Sequence, residues 1–245
     1  MPSQTCSIDT LVVPGLNGSA AGHWQRHWVE DQPTSIMVEQ DDWAHPELGA
    51  WKARLEQQLS SCRSGAWIVA HSMGCLLTAQ MADSPLRHLI RGALLVAPCD
   101  LKTTENQHPD VIRFGEMPCQ RLPFPSLMIG SSNDPYMDTE TVQRTASCWG
   151  SRLVNLGPVG HINPQSGFGR WSEGYALLSQ LQTTVEGRRA IQPALPARTV
   201  RQPRLRHICI HTPEHTYNFF QPAFVSRALI KASPHDHHRK TWIFR

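Results

Sequence analysis

AWIVAHSMGCLL, residues 66–77, joins a short apolar run to a turn of small residues and then to a second apolar run at helical spacing. The order of these pieces predicts a strand, a sharp turn and a helix. Ser72 stands at the turn, where its hydroxyl would project clear of the backbone. This arrangement is typical of a nucleophile elbow, G-x-S-x-G, although Ala70 replaces the first glycine. The alternative interpretation is an ordinary strand-to-helix turn capped by the serine.

The charge of the chain is divided between two parts. Residues 1–186 carry 12 Lys and Arg against 18 Asp and Glu, whereas residues 187–245 carry 11 against 2. We therefore predict a folded domain over 1–186 and a basic tail over 187–245 that contains Pro and His, lacks periodicity and is disordered. Such a tail could attract nucleic acid weakly and non-specifically, or be a spurious extension. We predict no specific nucleic-acid partner.

The cysteines and the N-terminal residues argue against several classes of protein. Seven cysteines form no C-x-x-C pair, so we predict neither a disulfide framework nor a zinc ribbon. The histidines of residues 235–238 lack a partner at zinc spacing, and we predict no metal site. Residues 1–10 do not resemble a signal peptide, and no apolar run approaches the roughly 20 residues of a membrane span. We expect a cytoplasmic protein without a membrane partner.

Strand-like and helix-like patterns alternate along residues 8–185. Several strand-like runs are apolar throughout, as expected for a parallel sheet covered on both faces. We therefore predict a doubly wound α/β fold, with a mostly parallel sheet and helices on both faces. Residues 98–125 show little periodicity and are predicted to cap the sheet on the substrate side. The predicted strands are 8–13, 36–38, 66–70, 92–97, 126–130 and 152–156, and the main predicted helices are 48–59, 139–149 and 171–185.

A serine nucleophile requires a base and an acid, and both follow predicted strands. Asp134 lies in SSNDP after strand 126–130, and His161 lies in GPVGHIN after strand 152–156. The order Ser, Asp, His is the one expected of α/β-hydrolases, and the carboxyl ends of parallel strands share one edge of the sheet. Asp134 could instead be a turn residue and His161 a loop histidine. Asp138 is a rival acid, but its place before a helix indicates a cap.

An oxyanion hole would complete this chemistry. We predict that the backbone N–H of Met73 is one donor and that the loop PGLNG, residues 14–18, supplies the other. Leu16 is preferred to Asn17 as that donor, and a plain connector is the alternative. For substrate contacts we predict Trp43, which stands on a loop among acids, and Asn17. His71 is interpreted as a packing residue beneath the elbow.

Five motifs together resemble one known family. They are VVPG (12–15) with HWQ (23–25), EQDDW (39–43), AHSMGC (70–75), SNDP (132–135) and GHIN (160–163). With these motifs, residues 8–185 resemble the small serine hydrolases of the RBBP9/YdeN family within the α/β-hydrolase superfamily. The resemblance implies a triad of Ser72, Asp134 and His161 and cleavage of small acyl esters or amides without a cofactor.

The sequence therefore predicts a carboxylesterase-like serine hydrolase that acts through an acyl-enzyme. One alternative is an acyltransferase that uses the same triad. The other is a non-catalytic interaction module, because some relatives in the family are described as retinoblastoma-binding. The L-x-C-x-E peptide that would favour such a module does not occur in the chain.

Overall fold

The structure, a computed structural model, describes residues 8–191. Within this range six strands form one sheet in the order β2-β1-β3-β4-β5-β6, and every neighbouring pair is parallel. The predicted fold class is therefore confirmed. The strands are β1 (Thr10–Val13), β2 (Ser35–Met37), β3 (Ala66–His71), β4 (Ile90–Val96), β5 (Ser126–Gly130) and β6 (Arg152–Asn155).

Six α-helices connect or follow the strands, and they cover both faces of the sheet. Helices α1 and α6 pack on one face, while α2, α3 and α5 pack on the other. Their bounds are α1 (Trp24–Asp31), α2 (Leu48–Ser61), α3 (Met73–Gln80), α4 (Leu101–Gln107), α5 (Thr139–Trp149) and α6 (Ser172–Ile191).

Alternating side chains along each central strand explain why both faces are apolar. In β3, Ile68 and Ala70 point into the core under α2 and α3, whereas Trp67 and Val69 point into the core under α1 and α6. All six residues of β3 are buried. A strand buried on both faces has no polar side to alternate, which is why the sequence shows continuous apolar runs.

The predicted cap, residues 98–125, is only partly correct. Its first part forms α4, which the sequence analysis did not predict, and Thr104 and His108 from this part lie at the carboxyl edge of the sheet. The remainder descends to the opposite edge, where the N–H of Leu122 donates to the carbonyl of Trp149. The chain must make this descent because β5 runs parallel to β4 and so begins at the opposite edge.

Helix α6 passes through the predicted domain boundary at Gly187 and continues to Ile191. The rest of the predicted tail, including the histidines of 235–238, lies outside the described residues. Among residues 8–191 there is no helix whose length and apolar content would let it cross a membrane.

Candidate active site

Ser72 lies between β3 and α3 in a sharply turned backbone, with φ 53° and ψ −124°. A positive φ is rare for a residue with a side chain and is held here by the close packing around it. A Cβ built on Gly74 would lie 2.6 Å from the carbonyl oxygen of Pro14, and one on Gly15 would lie 2.8 Å from the Ser72 Cβ. The two glycines therefore let the loop after β1 lie directly against the turn. This is the geometry of the predicted elbow.

The structure brings Ser72, His161 and Asp134 together. The Oγ of Ser72 lies 3.0 Å from the Nε2 of His161. The Nδ1 of His161 lies 2.8 and 3.0 Å from the two carboxylate oxygens of Asp134. The side chains of His161 and Asp134 are 8% and 2% exposed, so their hydrogen bond is shielded from water. With Asp134 accepting the proton on Nδ1, Nε2 is free to accept the proton of the serine hydroxyl.

Neighbouring elements hold the loop that carries His161. The Nε2 of His71 donates to the carbonyl of His161 at 2.9 Å, and the indole N–H of Trp24 donates to the carbonyl of Ile162 at 2.8 Å. The Tyr136 ring packs against the His161 ring with centroids 4.5 Å apart. His71 is buried and acts through the backbone of His161, in agreement with its interpretation as a packing residue.

The loop that carries Asp134 is fastened to the His161 loop. The amide oxygen of Asn133 accepts from the N–H of Gly160 at 2.7 Å, and the Asp134 carboxylate accepts from the N–H of Tyr136 at 2.9 Å. Asp138, the rival acid, caps α5 by accepting from the N–H of Thr141. That hydrogen bond lowers the pKa of Asp138 and confirms its interpretation as a cap.

Two further imidazoles beside His161 are held neutral. Burial lowers the pKa of His71 well below its ordinary value, and the nearby His161 adds to this effect. Burial, followed by the proximity of His161, lowers the pKa of His23 to about 4. The Nδ1 of His23 accepts from the N–H of Gln25 and so caps α1. Near neutral pH these rings therefore add no positive charge beside the candidate base.

The N–H groups predicted or considered as donors in an oxyanion hole differ in whether they are already engaged in a hydrogen bond. The N–H of Asn17 donates to the carbonyl of Trp43 at 2.8 Å, so Asn17 cannot serve as a backbone donor. Within residues 8–191, neither Leu16 nor Met73 donates its N–H to another protein group. Leu16 lines the cavity that contains Ser72. The Met73 nitrogen faces the same loop, because a Cβ built on Gly15 would lie only 3.0 Å from it. Both free donors thus lie beside the serine.

A cavity of about 620 Å³ opens over Ser72 and His161. Of the two residues predicted to contact substrate, Asn17 lines this cavity and Trp43 does not. The Trp43 ring lies 3.1 Å from the Cβ position of Gly18 and packs edge-on against Trp51, with ring centroids 5.5 Å apart. Trp43 therefore supports the Leu16–Asn17 turn from behind, and it stands outside the wall of the cavity over Ser72.

The sequence analysis missed most of the cavity wall. Tyr136 could have been suspected because it follows Asp134 within the same loop. His23 and Asn163 lie in the motifs HWQ and GHIN, although neither was assigned a role. The remaining residues come from α4 and from the segment after His161, which meet at the cavity only in three dimensions. The missed wall residues with polar or aromatic side chains are His23, Thr104, His108, Tyr136, Asn163, Gln165 and Ser166.

A second cavity, of about 840 Å³, lies against α6 and is lined by Phe168, Trp171 and Leu177. It is larger, but it contains none of the three residues Ser72, His161 and Asp134. Over residues 8–191, no group of three or more His, Cys, Asp or Glu side chains has an arrangement that could hold a metal ion. The smaller cavity is the candidate active site because only it combines a nucleophile with a base.

A model of the serine hydrolase family matches residues 10–180. A protein from Pectobacterium atrosepticum described as a YdeN-like hydrolase is 31% identical, with 73% of this chain and 92% of that chain covered and a TM-score of 0.64. No curated protein sequence gives a significant match.

Two more distant structures share the fold. The ydeN gene product of B. subtilis is 16% identical over 72% of this chain and 100% of that one, with a TM-score of 0.56. Est1E from Butyrivibrio proteoclasticus, solved with bound ferulic acid, is 11% identical over 78% of this chain and 93% of that one, with a TM-score of 0.54. At these identities the likeness concerns the fold alone.

Proposed function

This chain belongs to the YdeN-like serine hydrolases of the α/β-hydrolase fold, and from that premise we propose that it cleaves small acyl esters or amides through Ser72, His161 and Asp134. One observation carries the proposal: the Ser72 hydroxyl lies 3.0 Å from His161 Nε2 inside a cavity, and Asp134 holds the opposite nitrogen of that ring. A serine hydroxyl is a weak nucleophile until a positioned base accepts its proton.

In the first half of the proposed reaction, Ser72 Oγ attacks the substrate carbonyl while His161 Nε2 takes the hydroxyl proton. Asp134 keeps the Nδ1 proton in place and stabilises the imidazolium that forms. The negative charge that develops on the carbonyl oxygen is met by the N–H groups of Met73 and Leu16. His161 then gives its proton to the leaving alcohol or amine, and the acyl group remains on Ser72.

In the second half, a water molecule takes the place of the leaving group. His161 removes a proton from this water, and the resulting hydroxide attacks the acyl carbonyl in the same oxyanion site. The proton returns to Ser72, and the carboxylic acid product leaves. These steps require no redox group, and we propose that none takes part.

The function is tested by replacing Ser72. The Ser72→Ala variant should lose fluorophosphonate labelling, and its kcat for p-nitrophenyl acetate should fall by about 10⁴-fold or more if the three residues act as a unit. The matched control is Ser179→Ala, an exposed serine on α6. This variant should keep both labelling and activity.

Other outcomes would contradict the proposal. Activity retained by Ser72→Ala would exclude Ser72 as the nucleophile. A folded wild-type protein that takes up no probe would support the non-catalytic interaction module. Mainly transesterified product in the presence of a small alcohol, with little free acid, would instead support an acyltransferase.

A further inference from the structure

Two cysteines meet at the edge of the sheet opposite Ser72, where the segment before β5 lies against the last turn of α5. Two hydrogen bonds made by Trp149 fix this contact next to the cysteines. The indole N–H of Trp149 donates to the carbonyl of Pro118 at 2.8 Å, and the N–H of Leu122 donates to the carbonyl of Trp149 at 3.0 Å. Cys119 lies between Pro118 and Leu122, and Cys148 directly precedes Trp149, 29 positions further along the chain than Cys119.

The two residues touch each other. The Sγ of Cys148 lies 2.7 Å from the carbonyl oxygen of Cys119, to which its S–H donates. Cys119 is exposed and Cys148 is half-buried, so solvent reaches the pair. Both are free thiols in the structure. The Cys119 side chain is also the main cause of a raised pKa at Cys148, which agrees with two thiols within interaction range.

The other cysteines among residues 8–191 are in a different environment. Cys62, Cys75 and Cys99 are all buried, and burial raises the pKa of each thiol, to about 12 in the case of Cys99. A buried thiol that stays protonated reacts slowly, because the thiolate is the nucleophile. Cys119 and Cys148, by contrast, are the two thiols within this range that a reagent in solution can reach.

We propose that Cys119 and Cys148 form a redox pair, which a low-molecular-weight disulfide oxidises to an intramolecular disulfide. The Cys119 thiolate attacks one sulfur of the reagent, the reagent's S–S bond breaks, and one reagent thiolate leaves. The Cys148 thiolate then attacks the Cys119 sulfur of this mixed disulfide and expels the second reagent thiolate. The protein dithiol loses two electrons, the reagent is reduced to two thiols, and the two cysteine protons pass to those thiols.

The bond would join the segment before β5 to α5. Helix α5 begins beside the Asp134 loop and runs back across the sheet, so Cys148 lies near its far end. The new bond would close a covalent loop between residues 119 and 148 and would lower the conformational entropy of the unfolded chain. Because native hydrogen bonds already hold the two segments together, we expect the oxidised protein to melt at a higher temperature than the reduced one.

To test this proposal, the full-length chain is treated with glutathione disulfide and digested without reduction, and its peptides are identified by mass spectrometry. We expect a cross-linked peptide pair containing Cys119 and Cys148, together with a mass loss of two hydrogen atoms. The Cys119→Ser variant should yield no such pair and no rise in melting temperature on oxidation. A Cys6→Ser/Cys209→Ser variant, which removes the two thiols outside the described residues, should still form the bridge.

Glutathione adducts without the cross-linked peptide would overturn the proposal, as would a bridge that uses Cys6 or Cys209. A Cys119–Cys148 bridge that lowers the melting temperature would show that the native contact does not hold the two sulfurs within bonding reach, and would also overturn it.

Discussion

Several polar side chains around Ser72 are buried, and each acts through a defined partner. Gln25, which is fully buried, donates to the carbonyls of Val13 and Val69 and accepts from the hydroxyl of Ser19. It thereby satisfies the ends of two neighbouring strands, whose carbonyls would otherwise be costly to bury. His23, at the start of the same helix, caps it through an unprotonated nitrogen. This cap requires His23 to stay neutral, because a protonated imidazole nitrogen cannot accept a hydrogen bond. The stability of the protein therefore depends on pH.

His23 should make the protein less stable in mild acid. Its pKa is lowered from 6.5 to about 4 on folding, so the unfolded chain binds a proton in this window and the folded chain does not. Its contribution to stability is complete above pH 6.5 and is lost as the pH falls from 6.5 towards 4. Between pH 7.5 and pH 5 the wild type should lose roughly 2 kcal/mol more unfolding free energy than His23→Asn.

Denaturant unfolding of both proteins at the two pH values measures this difference. Asn is a suitable replacement because it caps helices well but does not titrate. His71, which titrates in the same direction mainly because of its own burial, is present in both proteins. An equal loss of stability in the two proteins would show that His23 is not the source of the acid sensitivity.

Among the elements, the close approach of α3 to β1 sets the position of the elbow. Gly74 lies in the first turn of α3 and faces the carbonyls of Val13 and Pro14 at the end of β1. No side chain fits between these backbones. The same contact places the loop that carries the Leu16 N–H beside Ser72. The packing of α3 against β1 therefore also determines the position of the proposed oxyanion site.

Gly74→Ala should destabilise the protein by roughly 2–3 kcal/mol because the added methyl overpacks this contact. It should also lower esterase activity, since relief of the clash must move the elbow or the loop. The matched control is Gly187→Ala within α6, where a Cβ meets no atom within 4 Å. There the same substitution should stabilise the helix by roughly 0.5–1 kcal/mol, because Gly costs backbone entropy in a helix.

Thermal and denaturant unfolding of the two variants should therefore shift in opposite directions. A Gly74→Ala variant with wild-type stability and activity would show that α3 and β1 can separate without cost, contrary to the contact described here.

At the scale of the molecule, the two apolar cores that the structure describes within residues 8–191 are built from residues between Leu11 and Val185. Helix α6 covers one face of the sheet through Leu178, Leu181 and Val185. Glu186, the next residue of this helix, forms an ion pair with Arg91. The last of these core residues, Val185, thus lies six residues before the end of the described range at Ile191. We propose that the folded unit ends with α6, a few residues beyond the boundary expected at Gly187.

A chain that ends at Ile191 should keep its melting temperature and its hydrolysis of p-nitrophenyl acetate within error. The reason is that this truncation leaves α6 whole and removes no residue of the two described cores. Calorimetry and an esterase assay on the truncated and full-length chains provide the comparison. Failure of the truncated chain to fold would place essential core contacts after Ile191.

The sequence determined the features that local pattern can encode. The apolar run before Ser72 and the small residues around it specified strand, elbow and helix, and positions after predicted strands placed Asp134 and His161 at one edge of a parallel sheet. The tertiary structure alone decided which side chains surround that edge. Trp43, chosen for its acidic loop, turned out to pack behind Gly18, while His23 and His108 came into the cavity from α1 and the end of α4. The physical reason is that periodicity and turn chemistry act over a few residues, whereas a cavity wall and a contact such as Cys119–Cys148 depend on helix packing between residues that are distant in the chain.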